Sequence, residues 1–209
     1  VDDTKVFLNE KVIKIDIHNK IAYTNKREIK YDNLISTIPF PLLLELCDIS
    51  YTKEYFTWNK VLVFNLGFNK KGSDTESSWV YIPDKEICFY RMGYYDNILG
   101  TSKMSLYIEM GFPNDYNIEN EQKYLQKVLE DLKKIGVVKD EELIDYHSVV
   151  MDPAYVHINQ KEIQSVEKYK KQLAQDNIYS IGRYGSWTYC SIEDNIIEAK
   201  DLAEKLLIS

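Results

Sequence analysis

The chain has 209 residues, of which 44% are hydrophobic and 28% are charged, and its formal net charge is −7. This composition excludes a disordered chain and allows one large domain or two small ones. The acidic balance argues against a general nucleic-acid binder, and neither a membrane-spanning apolar run nor a signal peptide is present in the sequence.

The cysteines and histidines show no metal-binding pattern. Cys47, Cys88 and Cys190 are far apart and odd in number, which predicts reduced thiols in a cytoplasmic protein. The three histidines also lack the spacing of metal ligands, so we expect no metal site.

The first half of the chain reads mainly as strands. Residues 11–25 predict a hairpin, residues 34–38 a buried strand that ends at Pro39, and residues 41–47 a short helix. Four strand-like runs with short connections follow, which predicts an antiparallel sheet. These runs are residues 60–69, 77–84, 86–95 and 104–112.

The second half alternates helices with strands. Apolar spacing predicts helices near residues 118–135 and 160–175, and a last helix from about Ser191 to Leu207. Strands are expected near residues 144–151 and 177–182. The fold class is therefore α+β, a mainly antiparallel sheet with flanking helices.

The stretch GRYGSWTYCSIEDN, residues 182–195, is unusual for a strand-to-helix connection. Gly182 and Gly185 permit a sharp bend and close approach of a ligand, and Arg183 offers a planar set of donors. The helix beginning near Ser191 adds free N–H groups, so the stretch suits an anion or an electron-accepting ring. The alternative is a tight turn in which Arg183 forms a structural ion pair and Trp187 fills the core.

A second arginine lies in CFYRMGYY, residues 88–95. In an alternating strand Phe89 and Arg91 share one face, which would direct Arg91 inward toward an anionic ligand. The alternative is a half-exposed arginine paired with a carboxylate such as Glu109. The chain contains no glycine-rich phosphate loop of the usual nucleotide-binding kinds.

Five motifs in order resemble the FAD-dependent amine-oxidase and protoporphyrinogen-oxidase superfamily, and within it UDP-galactopyranose mutase-like proteins. They are YDNLISTIPFPLLLEL, WVYIPDKEICFYRMGYYDN, MSLYIEM, DPAYVHI and IYSIGRYGSWTYCSIED. The resemblance implies that the chain is the carboxy-terminal portion of such an enzyme. Residues 1–45 and 176–209 would then be the remnant of a Rossmann-like FAD-binding domain, and residues 46–175 the substrate-binding domain.

The resemblance also implies roles for individual residues. Arg91, Arg183 and Tyr189 would be catalytic, and a substrate diphosphate would be surrounded by Tyr81, Arg91, Tyr155 and Tyr189. FAD would be contacted by Val12, Thr37, Pro39, Gly182, Arg183 and Ser191. Glu193 and Asp194 depart from the family pattern, and they would either repel a diphosphate or cap the last helix.

The function implied is a redox-neutral rearrangement of a nucleotide-sugar in surface polysaccharide or lipopolysaccharide biosynthesis. One alternative is an amine-oxidase-type FAD-dependent oxidoreductase, and another is a non-catalytic domain that has lost its flavin. Without the glycine-rich half, the isolated chain is expected to bind FAD weakly or not at all.

Overall fold

The computed structural model describes residues 5–208. The strands in this part of the chain are β1 Val12–Asp16, β2 Ile21–Thr24, β3 Glu28–Lys30, β4 Leu34–Ser36, β5 Trp58–Phe68, β6 Trp79–Tyr81, β7 Arg91–Tyr94, β8 Ser105–Pro113, β9 Leu143–Val156 and β10 Ile178–Ser180. The helices are α1 Phe40–Leu46, α2 Tyr95–Leu99, α3 Glu121–Lys134, α4 Gln160–Gln175, α5 Gly182–Gly185 and α6 Ile192–Ile208. No described helix is long and apolar enough to cross a bilayer.

The chain divides into two compact units. The first comprises the described residues up to Thr57 and from Val156 onward, and the second is Trp58–Tyr155. The boundaries predicted from the resemblance, at residues 45/46 and 175/176, both fall within the first unit. The assignment of flavin and substrate domains to residue ranges stays a prediction.

The second unit is built on a five-stranded sheet with the order β6-β7-β8-β5-β9. The pairs β6–β7, β7–β8 and β5–β8 are antiparallel, which confirms the sheet predicted from sequence. One face of the sheet carries the core, in which Leu62, Phe64 and Ile108 are fully buried. Helix α3 belongs to the same core through Leu125, Val128 and Leu132, because these residues lie on one side of the helix.

The first unit combines an antiparallel meander, β1-β2-β3, with a parallel pair formed by β4 and β10. A parallel pair requires a long crossover connection, which agrees with the remnant of a Rossmann-like domain expected from sequence. Trp187 is only 2% exposed, and its ring meets that of Phe56 edge-on at a centroid distance of 5.8 Å. Trp187 therefore fills the core, as one sequence alternative expected, while the ion pair that this alternative assigns to Arg183 stays a prediction.

The strand predicted at residues 86–95 is shorter in the structure, because β7 begins only at Arg91. The Asp84 carboxylate accepts the backbone N–H of Glu86, and the Asp131 carboxylate accepts that of Cys88, which holds the preceding residues in a turn. Phe89 packs in the core while Arg91 lies on the opposite face of the sheet. The prediction that these two side chains share a face was wrong.

Helix α4 begins with a reciprocal capping box formed by Asn159 and Glu162. The Asn159 side chain accepts the backbone N–H of Glu162, and the Glu162 carboxylate accepts that of Asn159. Burial raises the pKa of Glu162, which is only 1% exposed, and the hydrogen bond from Asn159 opposes this shift only in part.

We therefore expect that the wild-type protein loses stability as pH rises and that Glu162→Gln removes this loss. A raised carboxyl pKa in the folded state means that the free energy of unfolding falls as pH rises from the ordinary value through the raised one. Circular-dichroism melts between about pH 4 and about pH 8 should show this fall for the wild type and a flatter profile for the variant. Glu167→Gln, an exposed change in the same helix, is the control, and an unchanged slope in Glu162→Gln would contradict the prediction.

Candidate functional site

Strand register brings three polar side chains into one row on the second unit. Arg91 of β7 lies opposite Tyr81 of β6 on one side and opposite Glu109 of β8 on the other. Directly opposed residues of antiparallel strands point to the same face. This row occupies the face of the sheet that does not carry the core.

Arg91 and Glu109 form a close, two-pronged ion pair. The Nη2 atom of Arg91 lies 2.6 and 2.7 Å from the two carboxylate oxygens of Glu109, and its Nε lies 3.0 Å from one of them. The Arg91 side chain is 22% exposed and that of Glu109 is 11% exposed. A planar guanidinium suits a carboxylate in this way, and partial burial strengthens the attraction.

Three tyrosines complete this Arg91 cluster. Arg91 donates to the hydroxyls of Tyr81, at 3.3 Å, and Tyr155, at 3.1 Å, and the Tyr90 hydroxyl donates to Glu109 at 2.5 Å. Asn59 holds Tyr155 in place, because its side-chain oxygen accepts the backbone N–H of Tyr155. Burial, reinforced by Glu109, raises the pKa of Tyr90, so its hydroxyl keeps its proton.

The charge of Arg91 is balanced inside the protein. Burial alone would lower the pKa of Arg91, but its hydrogen bonds to Glu109 and Tyr81 raise it, so the guanidinium stays charged. The sequence alternative in which Arg91 pairs with Glu109 is confirmed. An anion at this row would meet hydrogen-bond donors beside a carboxylate and not an isolated positive charge.

The turn at residues 182–191 belongs to the first unit and is fixed by Glu198 of α6. Gly182 has a φ of +81°, a left-handed conformation that favours glycine, and its N–H donates to the Glu198 carboxylate at 2.7 Å. The same carboxylate accepts the Ser186 hydroxyl at 2.6 Å and pairs with Lys170 at 3.2 Å. Residues 182–185 form a single helical turn.

Two of the predicted catalytic residues meet in this turn. The guanidinium carbon of Arg183 lies 4.7 Å from the centre of the Tyr189 ring, and Tyr189 is 69% exposed. This cation–π contact fixes the orientation of both side chains.

The start of α6 is capped by its own side chains. The Ser191 hydroxyl accepts the backbone N–H of Asp194, and the Asp194 carboxylate accepts both the N–H and the hydroxyl of Ser191. These bonds lower the pKa of Asp194, the backbone bond contributing most. Asp194 therefore caps the helix, as one sequence alternative expected. The N–H of Ser191 is already used in this cap.

The strand end at Ser36 and Thr37 passes very close to Gly185. A β-carbon on Gly185 would lie 3.1 Å from the Ser36 carbonyl oxygen and 3.4 Å from the Thr37 Cα. A side chain at position 185 would therefore require its neighbours to shift by a few tenths of an ångström. Thr37, one of the predicted FAD contacts, and the turn that carries Arg183 therefore meet within the first unit.

A cavity of about 380 Å³ lies in the first unit between the meander, β4 and α1. Val12 and Thr37, two of the predicted cofactor residues, line it, and Tyr31 lines it as well. The Tyr31 hydroxyl is buried without a hydrogen-bond partner among the described residues. An orphaned hydroxyl and an apolar wall fit a ligand that has both polar and apolar surface.

The predicted site residues thus fall into separate groups. Arg91, Tyr81 and Tyr155 come together in the second unit. Arg183 and Tyr189 come together in the first, and Pro39 directly precedes α1 in that unit. Tyr189 belongs to a different unit from Arg91, so a shared role at one diphosphate stays a prediction.

Sequence reasoning missed two residues that organise these groups. Glu109 was considered only as an alternative partner, although a glutamate within the apolar strand MSLYIEM is itself a signal of a buried pair. Nothing in the sequence indicates the role of Glu198, because that role depends on how α6 packs against the turn at residues 182–185.

Several solved structures have this fold. A reduced UDP-galactopyranose mutase is 22% identical with a TM-score of 0.76, over 86% of this chain and 41% of that one. A protein assigned as a protoporphyrinogen oxidase from Exiguobacterium sp. 255-15 is 16% identical with a TM-score of 0.76, over 94% and 46%. A fatty acid isomerase from P. acnes that produces CLA is 15% identical with a TM-score of 0.66, over 94% and 47%.

The chain has the amine-oxidase-like fold of these structures. It matches the carboxy-terminal part of such chains and spans less than half the length of the structures above. At these identities the likeness shows the fold alone. No family model matches the sequence, and no curated protein matches it either.

We expect the Arg91–Glu109 pair to be strongly coupled. A double-mutant cycle with Arg91→Met and Glu109→Gln, measured by chemical unfolding, should give a coupling of about 2 kcal/mol, because both groups are largely removed from water. The exposed Lys134–Glu86 pair is the control and should give about 0.5 kcal/mol or less. Equal couplings for the two pairs would contradict this picture of the site.

We also expect the turn at residues 182–185 to lose stability in acid. Burial alone would raise the pKa of Glu198, but hydrogen bonds from Ser186 and Gly182 and the charge of Lys170 lower it. Its contribution is therefore complete above the ordinary carboxyl pKa and is lost as pH falls through the lowered value.

Glu198→Gln should accordingly be less stable than the wild type at neutral pH, with the difference shrinking toward about pH 3. Unfolding curves at several pH values test this expectation. Glu193→Gln, an exposed change in the first turn of α6, should show no such convergence. A constant difference between Glu198→Gln and the wild type would refute the assignment.

Proposed function

We propose that this chain is part of a FAD-dependent enzyme and that its first unit contributes to the flavin site. The observation that carries the proposal is the meeting of the Gly182–Gly185 turn with the Ser36–Thr37 strand end, in a chain with the amine-oxidase-like fold. Glycine at position 185 lets the strand end pack directly against the turn, so Thr37 and Arg183, two proposed flavin contacts, are held on adjoining segments.

We propose that FAD is held by six residues of the first unit: Val12, Thr37, Pro39, Gly182, Arg183 and Ser191. Val12 and Thr37 line the cavity of the first unit, and Arg183 presents a planar cation that suits an electron-accepting ring. FAD, when bound, supplies two-electron chemistry that side chains cannot provide. The N–H of Ser191 is used by Asp194 and its carbonyl accepts from Asn195, so Ser191 enters the proposal only through its position at the start of α6.

We propose a nucleotide-sugar as the substrate and a mutase-type, redox-neutral rearrangement as the reaction, within surface polysaccharide or lipopolysaccharide biosynthesis in the cytoplasm. The Arg91 cluster supports this proposal, because a guanidinium and tyrosine hydroxyls are suitable donors for a diphosphate. The proposed diphosphate ligands are Tyr81, Arg91, Tyr155 and Tyr189. Arg91, Arg183 and Tyr189 are the proposed catalytic residues.

A second candidate is an oxidoreductase in which FAD takes a hydride from an amine or a ring carbon and the electrons are returned to oxygen. The specific observation in its favour is the ion pair between Arg91 and Glu109, which leaves this row without net charge. A tyrosine-lined surface with no net charge binds a neutral ring without the repulsion that Glu109 would impose on a diphosphate.

The test is a visible absorption spectrum of protein purified from the complete reading frame around this chain. We expect a flavin spectrum that bleaches on reduction, followed by conversion of UDP-galactose by the reduced protein. Arg183→Ala should lower flavin occupancy, and Arg183→Lys should retain part of it because the charge is kept. The 209-residue chain alone should bind FAD weakly or not at all.

The outcomes separate the candidates. Flavin reduction by an amine or a ring substrate, without conversion of UDP-galactose, would support the oxidoreductase. A colourless, folded protein that takes up no added FAD would overturn both enzymes in favour of a domain that has lost its cofactor.

A further inference from the structure

The turn that carries Arg183 is fastened to one carboxylate at both of its ends. The N–H of Gly182 donates to one oxygen of Glu198 at 2.7 Å, and the Ser186 hydroxyl donates to the other at 2.6 Å. The backbone N–H of Ser186 donates to the Gly182 carbonyl at 2.7 Å, which closes the turn between these two residues. Arg183 lies inside the closed segment, so a shift of its backbone would break the bonds to Glu198.

Lys170 of α4 determines the direction in which the Ser186 hydroxyl points. Its ammonium group lies 2.9 Å from the Ser186 oxygen and 3.2 Å from the Glu198 carboxylate. An ammonium group only donates, so the Ser186 oxygen accepts from Lys170 and its own hydrogen is directed to Glu198. Helix α4, the turn and α6 therefore meet at the carboxylate of Glu198.

A link between two helices does not by itself account for this arrangement. The ion pair of Lys170 with Glu198 would be enough to join α4 to α6. Glu198 also receives hydrogen bonds from Gly182 and Ser186, the residues that enclose Arg183. These additional bonds act on the backbone from which the Arg183 side chain starts.

We propose that Glu198 is a positioning residue of the flavin site, which acts on FAD by fixing the backbone that carries Arg183. The inference rests on the proposed function, in which Arg183 contacts the flavin. A side chain that is already held in its binding orientation loses less conformational entropy when the ligand binds. Loss of Glu198 would release the turn, and the ordering of Arg183 would then reduce the affinity for FAD.

The experiment measures the dissociation constant of FAD for apo-protein prepared from the complete reading frame, by titration followed through flavin fluorescence. Glu198→Ala should weaken FAD binding about tenfold, which is within the usual coupling between neighbouring residues. Glu198→Gln should lie between Glu198→Ala and the wild type, because its amide oxygen still accepts a bond from the turn. Glu204→Ala, an exposed change farther along α6, is the control and should leave the constant unchanged.

A double variant distinguishes positioning from a general loss of stability. If Glu198 acts through Arg183, Glu198→Ala should cause no further loss of FAD affinity in a protein that already carries Arg183→Ala. A purely structural role would reduce the affinity by the same factor in both backgrounds, and that result would overturn the inference. Ser186→Ala removes only one hydroxyl from the turn, so it provides the same comparison if Glu198→Ala does not fold.

The outcomes also separate the inference from the proposed function. If Arg183→Ala weakens FAD binding and Glu198→Ala does not, the positioning role is overturned while the flavin proposal stands. If the wild-type protein from the complete reading frame takes up no FAD, the flavin proposal and the positioning role fall together.

Discussion

The ion pair between Arg91 and Glu109 is the interaction on which the candidate site depends. It joins β7 to β8 at one register position, and the same guanidinium donates to Tyr81 of β6 and Tyr155 of β9. Removal of either partner would leave a charge in a largely water-free position, which is strongly unfavourable. The pair therefore fixes both the alignment of the strands and the donors that the site presents.

Glu198 has a comparable role in the first unit. Its carboxylate receives the N–H of Gly182 and the hydroxyl of Ser186, so α6 determines the path of the turn that carries Arg183. In both units a carboxylate from one element positions an arginine on another. Glu109 contacts Arg91 directly, whereas Glu198 acts on Arg183 through the backbone N–H of Gly182. Because each carboxylate is already satisfied within the protein, the site is arranged before a ligand arrives.

The neutral balance of the Arg91 cluster constrains which substrates suit it. A diphosphate would gain hydrogen bonds from tyrosine hydroxyls and from Arg91, but it would also experience repulsion from Glu109. Binding energy must then come from elsewhere on the substrate.

The sequence by itself determined the local structure and the candidate chemistry. Apolar periodicity predicted α3 and α4 to within a few residues, and a cap of the last helix by Asp194 was one of the two alternatives considered for that residue. Only the tertiary structure decided that Arg91 meets Glu109 and that Phe89 turns to the opposite face. Local patterns reflect neighbours along one helix or strand, whereas these contacts depend on strand register and on turns that are held by distant side chains such as Asp131.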